Sequence, residues 1–399
     1  MLALAFAFFA GCPVLANLVG TYVADGQSFT ITATIACSAL LLAGVAALRL
    51  GFPPDAITGL RGPLLVLAVI GVGFWTHWLL INLLSPSSQP AMRYQAAQAA
   101  VWMLLPGALF LLWRRSIDPF LVLRCLVVLD LLFVLGLTLR WVLDLGIYQS
   151  GRWHAGYSLE AIRSGRYATM ALWVFALAAL CPAVVMPMRL KLMALTCMPL
   201  ALLMMVAANA RGPWLALAVT IAVTGIPLAR LLASRIRQDA RVLGVLLMAV
   251  AAGAGFIAWQ ISGVGSDFSR LFTLTADGGS AAERITLVSD HLQLLRDTPL
   301  AVLSGFGYAH GFFYPHNVLV EALVDGGMVA FILLLAMYGS TIRAWLRHGD
   351  DDVPSLLIAG LFILSLVGSQ VSGSIAGDLT WFFPLLLVLT FAARKPEAS

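Results

Sequence analysis

Charge is scarce in this chain. Only 11% of its 399 residues are Asp, Glu, Lys or Arg, against 61% hydrophobic, and the mean hydropathy is +0.95. That composition excludes an ordinary water-soluble domain, which carries about a quarter of its residues charged. Lysine is nearly absent: of the 24 basic residues, only Lys191 and Lys395 are lysines. Cysteine is sparse as well. Cys12, Cys37, Cys125, Cys181 and Cys197 fall singly in apolar runs, without the spacing of a metal site or the pairing of a disulfide framework. They read as small buried hydrophobes. No complete dinucleotide or phosphate-loop pattern occurs, which argues against nucleotide binding. The opening MLALAFAFFAGCPVLANLVG lacks a basic leader, so it reads as a first span rather than a signal peptide.

What the chain has in abundance is long apolar runs. Segments of about 18 to 25 residues recur from end to end, each able to cross roughly 30 Å of hydrocarbon. Backbone groups must be paired in lipid, and the runs lack the alternation of a β-barrel, so they are expected as helices. The expectation is an all-α polytopic membrane protein, a single transmembrane domain over 1–399. Twelve spans are predicted: 2–20, 29–48, 63–84, 95–113, 119–139, 167–187, 191–208, 213–230, 242–261, 317–342, 355–373 and 379–393. Alternating them puts Arg49, Arg61, Arg114, Arg115, Arg189, Lys191, Arg230, Arg235, Arg237, Arg241, Arg343, Arg347, Arg394 and Lys395 on one side, in short connections. That side is cytoplasmic by the positive-inside rule, with both termini there. The pI near 9.1 is explained by these loops, with no nucleic-acid partner.

The opposite face has two longer connections, 140–166 and 262–316. The second, on the order of fifty residues, is long enough to be functional in its own right. The basic residues of that face are all arginine: Arg93, Arg140, Arg152, Arg163, Arg166, Arg211, Arg270, Arg284 and Arg296. Arginine forks recognise phosphate or carboxylate, and they also snorkel to lipid headgroups. Few ionisable groups fall inside spans. His77 lies in GFWTHWLLIN, Arg124 near a cytoplasmic end where snorkelling accounts for it, and Asp130 deeper, where a partner is expected.

Four pieces carry chemistry. Asn209-Ala-Arg211-Gly212-Pro213-Trp214 places Arg211 at an outward turn, with Pro213 in the first turn of the next helix. Residues 283–297 form an amphipathic interfacial helix, with Ile285, Val288, Leu292 and Leu295 as its apolar stripe and Arg284, Leu287 and His291 on another face. Ser304-Gly305-Phe306-Gly307 supplies glycines for close backbone approach or a left-handed turn. Beyond His310, Tyr314-Pro315-His316-Asn317 opens a long apolar helix, whose N-terminus disfavours an imidazolium and keeps His316 able to accept a proton.

Over roughly 200–340 these pieces resemble the O-antigen ligase/polymerase superfamily. His316-Asn317…Glu321…Leu323, then Asp325 and Gly327, looks like its H-N-x-x-x-E-x-L…G signature. Pro299-Leu300…Gly305-Phe306-Gly307 is similar to its P-L…G-x-G element, Arg211-Gly212 to its R-G turn, and Arg284 to its loop arginine. Val288 and Ala330 depart from the family's aromatic and later glycine. The resemblance implies a C-type-like, metal-independent, cofactor-free glycosyltransferase with a periplasmic site in a bacterial inner membrane. The donor would be a glycan on undecaprenyl diphosphate, and the acceptor a sugar hydroxyl of lipid A–core. His316 would be general base and Arg211 and Arg284 would hold the diphosphate, with Asn317, His310, Tyr314 and Arg166 binding substrate. The alternatives are a polymerase using the same donor, and a lipid-linked oligosaccharide flippase or other transporter.

Overall fold

The computed structural model describes residues 2–7, 28–51, 63–84, 104–143, 145, 147–149, 152–154, 161–208, 210–238, 280–307, 317–348 and 352–372. These are overwhelmingly helical: α1 Ser28–Leu50, α2 Pro63–Leu84, α3 Pro119–Val142, α4 Ala161–Leu180, α5 Met188–Ala208, α6 Arg211–Gln238, α7 Ser280–Asp297, α8 Ala301–Ser304, α9 Val318–His348 and α10 Val353–Ser372. Helical residues 104–112 precede a short 3-10 turn, and a small hairpin joins β1 Ile147–Gln149 to β2 Arg152–His154. Five helices, α3, α5, α6, α9 and α10, are long and apolar enough to cross a membrane. The expected spans 242–261 and 379–393, and most of 2–20, lie outside the described residues.

Two features identify the surroundings as lipid. Along α3, Val128, Leu132, Leu135, Leu139 and Val142 form an exposed stripe spaced four and three residues apart, while the opposite face is buried. A water-soluble chain does not leave a stripe of that length to solvent. The hydroxyls inside the helices also turn back on their own backbone. Thr138 donates to Val134 O, Thr169 to Gly165 O, Thr220 to Ala216 O and Thr341 to Met337 O, at 2.7–2.8 Å. This pairing meets the demand that hydrocarbon makes of every polar group. The chain is a helical, membrane-embedded protein.

The described residues form two compact units. The first draws on Met1–Arg49, Ser116–Thr275 and Asp350–Leu364, the second on Leu50–Arg115, Ala276–Gly349 and Ser365–Ser399. In the first, α4 packs on α5, α3 and α6, and β2 lies against α4 and α5. Helix α3 starts where Asp118 caps it, its Oδ1 accepting from Phe120 N at 2.9 Å, with Pro119 next. It ends where Leu143 N–H returns to Leu139 O, and Arg140 donates to Leu145 O at 2.7 Å. Arg140 thus closes its own helix end. Trp173 of α4 donates to Leu356 O at 3.2 Å, and Gly360 lets α10 lie directly on its indole.

The expected span 167–187 is displaced. The helix runs from 161 to 180 and stops at Pro182, and Val185 and Met186 turn back to Pro182 O. The stretch CPAVVMP is apolar enough to read as membrane, yet its two prolines cannot continue a helix. Arg124 was expected to snorkel. Instead its guanidinium donates to Val185 O in this connection, from Nε at 2.6 Å. Lys191 donates likewise to Cys181 O. Asp130 is buried, with 8% exposure.

Candidate active site

The second unit is built around a helix that does not run straight. Helix α9 is broken at Gly327, whose φ of 69° and ψ of −172° belong to a region essentially reserved for glycine. The break splits the helix into 318–326 and 328–348, so the long uninterrupted span expected to open at His316 is two pieces. A break of this kind strands carbonyls in a place without water. Here three of them receive donors from elsewhere in the chain. Phe306 N donates to Val324 O at 2.8 Å and Gly307 N to Asp325 O at 2.9 Å. His77 of α2 donates from Nε2 to Gly326 O at 2.8 Å, because a carbonyl only accepts. The glycine-rich segment and the in-span histidine thus perform one task, sealing the broken helix.

The seal depends on missing side chains. Gly305 and Gly307 both have positive φ, at 74° and 78°. A Cβ on Gly305 would come within 2.6 Å of Asp325 C and of Gly327 N, and one on Gly327 within 2.7 Å of Gly305 N. A Cβ on Gly305 would meet Asp325 O first and one on Gly327 would meet Leu303 O first, so the backbones of the two segments fill the space a side chain at either glycine would need. Trp75 and Trp78 of α2 pack edge to face at 5.8 Å, and Trp78 Cδ1 would stand 3.5 Å from a Cβ at Gly326.

The first half of α9 is also fixed at its start. Asn317 Oδ1 accepts from Leu319 N at 3.0 Å and Val320 N at 3.1 Å, capping the helix. Its Nδ2 donates to Gln370 O at 3.1 Å, near the end of α10. Asn317, expected to bind substrate, spends its carbonyl on the helix and one amide hydrogen on the neighbouring backbone. Below it, Glu321 is fully buried and Asp325 is 8% exposed, one turn apart. His310, Tyr314 and His316 lie outside the described residues.

Helix α7 begins at Ser280, three residues before the expected start, and packs against α9. Its faces differ from the expected ones. Arg284, Leu287 and Val288 are half-buried and His291 and Leu295 are buried, whereas Ile285 is 71% and Leu292 is 45% exposed. The apolar stripe is therefore divided. Val288 and Leu295 join the Arg284 face that meets protein, and Ile285 and Leu292 point away from it, as do Leu300 and Leu303 beyond. At a membrane interface both the protein and the lipid side of a helix are apolar, so hydrophobic spacing does not separate them. His291 donates from Nδ1 to Leu287 O at 2.6 Å. It had been read only as a face residue, and its spacing of seven from Arg284, two helical turns, was the available signal.

In the first unit, Arg211 is the first residue of α6, and Pro213 lies in its first turn as expected. The approach of α4 to this helix start requires Gly165, whose Cβ would be 2.9 Å from Pro213 Cγ and 3.3 Å from Ala208 Cβ. Arg166 follows Gly165 and is buried, with 5% exposure. Arg166 and the Arg211 turn therefore belong to one local cluster, with the R-G turn serving as a packing junction. Arg284 and Asn317 belong to the other unit. Among the described residues no group of His, Cys, Asp and Glu could hold a metal. No family model matches the chain, and no curated protein matches it.

Proposed function

We propose that the chain is an O-antigen ligase, a glycosyltransferase of a bacterial inner membrane. In this reading it has twelve spans and cytoplasmic termini. It transfers a glycan from undecaprenyl diphosphate to a sugar hydroxyl of lipid A–core on the periplasmic side. His316 takes the proton of the acceptor hydroxyl as general base, a step worth about 10²–10⁴-fold. Arg211 and Arg284 hold the diphosphate and offset the charge that grows as the glycosidic bond breaks. Arg166, His310 and Tyr314 contact the substrates, and no metal takes part.

The observation that carries this reading is the tethering of the half-helix that follows position 316. It is capped and tied by Asn317 at one end and locked by Gly305–Gly307 and His77 at the other. A general base needs such fixed backing, because catalysis depends on holding it within hydrogen-bond reach of one hydroxyl. The broken helix is also the observation that favours a transporter, since transporters use interrupted helices to coordinate cargo. In α9 the Val324, Asp325 and Gly326 carbonyls already accept from the protein, which favours the enzyme.

The test is deletion of the gene followed by examination of the lipopolysaccharide. A ligase leaves long polymer on the carrier lipid and uncapped core, a polymerase leaves core bearing one repeat unit, and a transporter leaves the donor on the cytoplasmic side. In complementation, His316→Ala inserts normally and transfers nothing. Arg211→Ala and Arg284→Ala lose donor use, with poor rescue by Lys. Wild-type transfer by His316→Ala overturns the mechanism.

A further inference from the structure

Three cations from three helices meet at one end of the first unit, where α4 turns into α5. Arg124 of α3 donates to Val185 O and Lys191 of α5 donates to Cys181 O, so two helices fasten the same short connection. Arg235, in the last turn of α6, adds a third charge. Burial raises the Cys181 thiol, and the charges opposing it are Lys191, Arg235 and Arg124, with no carboxylate among them. A guanidinium or an ammonium carries more N–H groups than one carbonyl can use, and a carbonyl needs a donor rather than a full charge. Neutral side chains would close this turn as well. Three positive charges gathered in a partly buried place repel one another, and an anion among them offsets that cost.

The surface beside them says which anion. Arg124 and Arg235 are only half-buried, so the cluster is open to an approaching ligand. Val184 is 94% exposed in the turn, and Met188 and Leu192, four apart on α5, are 54% and 53% exposed. An apolar helix face that runs up to a cluster of cations matches the two parts of a phospholipid, an acyl chain and a phosphate. The positive-inside rule assigns this end to the cytoplasm, and basic pockets between spans on that side recognise anionic headgroups. We propose that Arg124, Lys191 and Arg235 bind the headgroup phosphate of an anionic phospholipid, with an acyl chain lying on Met188 and Leu192. The site needs only the membrane-embedded fold and is independent of the ligase reading.

The experiment uses delipidated full-length protein in a non-ionic detergent, titrated with phosphatidylglycerol or phosphatidylcholine, and native mass spectrometry reads the bound lipid. Phosphatidylglycerol is expected to bind about tenfold more tightly than phosphatidylcholine. Arg124→Gln and Arg235→Gln keep a donor and remove the charge, and each should weaken phosphatidylglycerol about fivefold and narrow that preference. Should Arg124→Gln fail to fold, Arg235→Gln, which leaves the Val185 carbonyl its donor, carries the test. Arg49→Gln, at an exposed arginine in the last turn of α1, is the control and should bind as wild type does. With Cys181 as sole cysteine, bound phosphatidylglycerol offsets the three cations and should slow maleimide labelling at a given pH, which places the lipid at this turn. Equal affinity for the two lipids, an equal loss in Arg49→Gln, an unchanged labelling rate, or displacement of the lipid by millimolar inorganic phosphate overturns the inference.

Discussion

The joint between Gly305 and Gly327 is the most exacting contact described, and Gly327→Ala tests it. The substitution places an L residue at φ 69°, ψ −172°, with its Cβ 2.7 Å from Gly305 N. Backbone strain in that region costs about 1–3 kcal/mol and overpacking a tight joint about 1–3 kcal/mol more, so the expected loss is about 2–6 kcal/mol. Gly305→Ala should cost a similar amount, because it meets the same wall from the other side. The two changes should not add. Once one methyl has parted the segments, the second meets open space, so a double-mutant cycle should show a coupling of about 1–3 kcal/mol. Gly339→Ala, on the same helix with nothing within 4 Å, is the control, expected to be neutral or stabilising by about 0.5–1 kcal/mol. The assay is reversible unfolding in detergent, followed by tryptophan fluorescence, with the folded fraction checked by size exclusion. A Gly327→Ala protein as stable as Gly339→Ala, or strictly additive single costs, would refute the interlocking joint.

Other consequences can be measured alongside. His77→Leu strands the Gly326 carbonyl and should cost about 1–3 kcal/mol in the same unfolding assay, whereas His77→Gln, which keeps a donor, should recover part of it. Gly360→Ala drives a methyl into the Trp173 indole, 2.5 Å from Cζ2, and should destabilise by about 1–3 kcal/mol, with a shift in tryptophan emission. Burial pushes the Cys181 thiol up to about 11, outweighing Lys191, Arg235 and Arg124, which pull it down. Because the thiolate is the reactive form, maleimide labelling of Cys181 as sole cysteine should be slow at pH 7.5 and rise about tenfold per pH unit until it levels near 11. Labelling that is already level at pH 9 would contradict the burial.

Helices were legible from hydropathy because length and apolarity are what the membrane demands of them. Their ends were legible only where local chemistry marks them, as at Asp118-Pro119, and not at Cys181–Pro187, where an apolar connection imitates a span. The hairpin at Ile147–His154 escaped because three-residue strands carry no periodicity. The break in α9 escaped for a related reason. Asp325-Gly326-Gly327 stood inside a hydrophobic run, and what makes Gly327 a break rather than a tolerated glycine is the arrival of Gly305–Gly307 and His77 from elsewhere. Of the candidate site, the arginines and the Asn317 stretch were marked by motif order. The assignment of Asn317 to the helix and to the Gln370 backbone depends on which neighbour stands opposite, which no local pattern encodes.

The sealed break has a consequence for how the chain is made. Isolated in a translocation channel, the segment 318–348 can satisfy Val324, Asp325 and Gly326 only by running unbroken through Gly327, so its entry into lipid in the broken form depends on help already present. Both helpers lie upstream: His77 is 249 residues earlier, and Gly305–Gly307 precedes the helix directly. Synthesis from the N-terminus therefore delivers the template before the helix that needs it. A chain rearranged to begin at α9 would have to insert that helix unbroken and break it later, or insert it with three bare carbonyls.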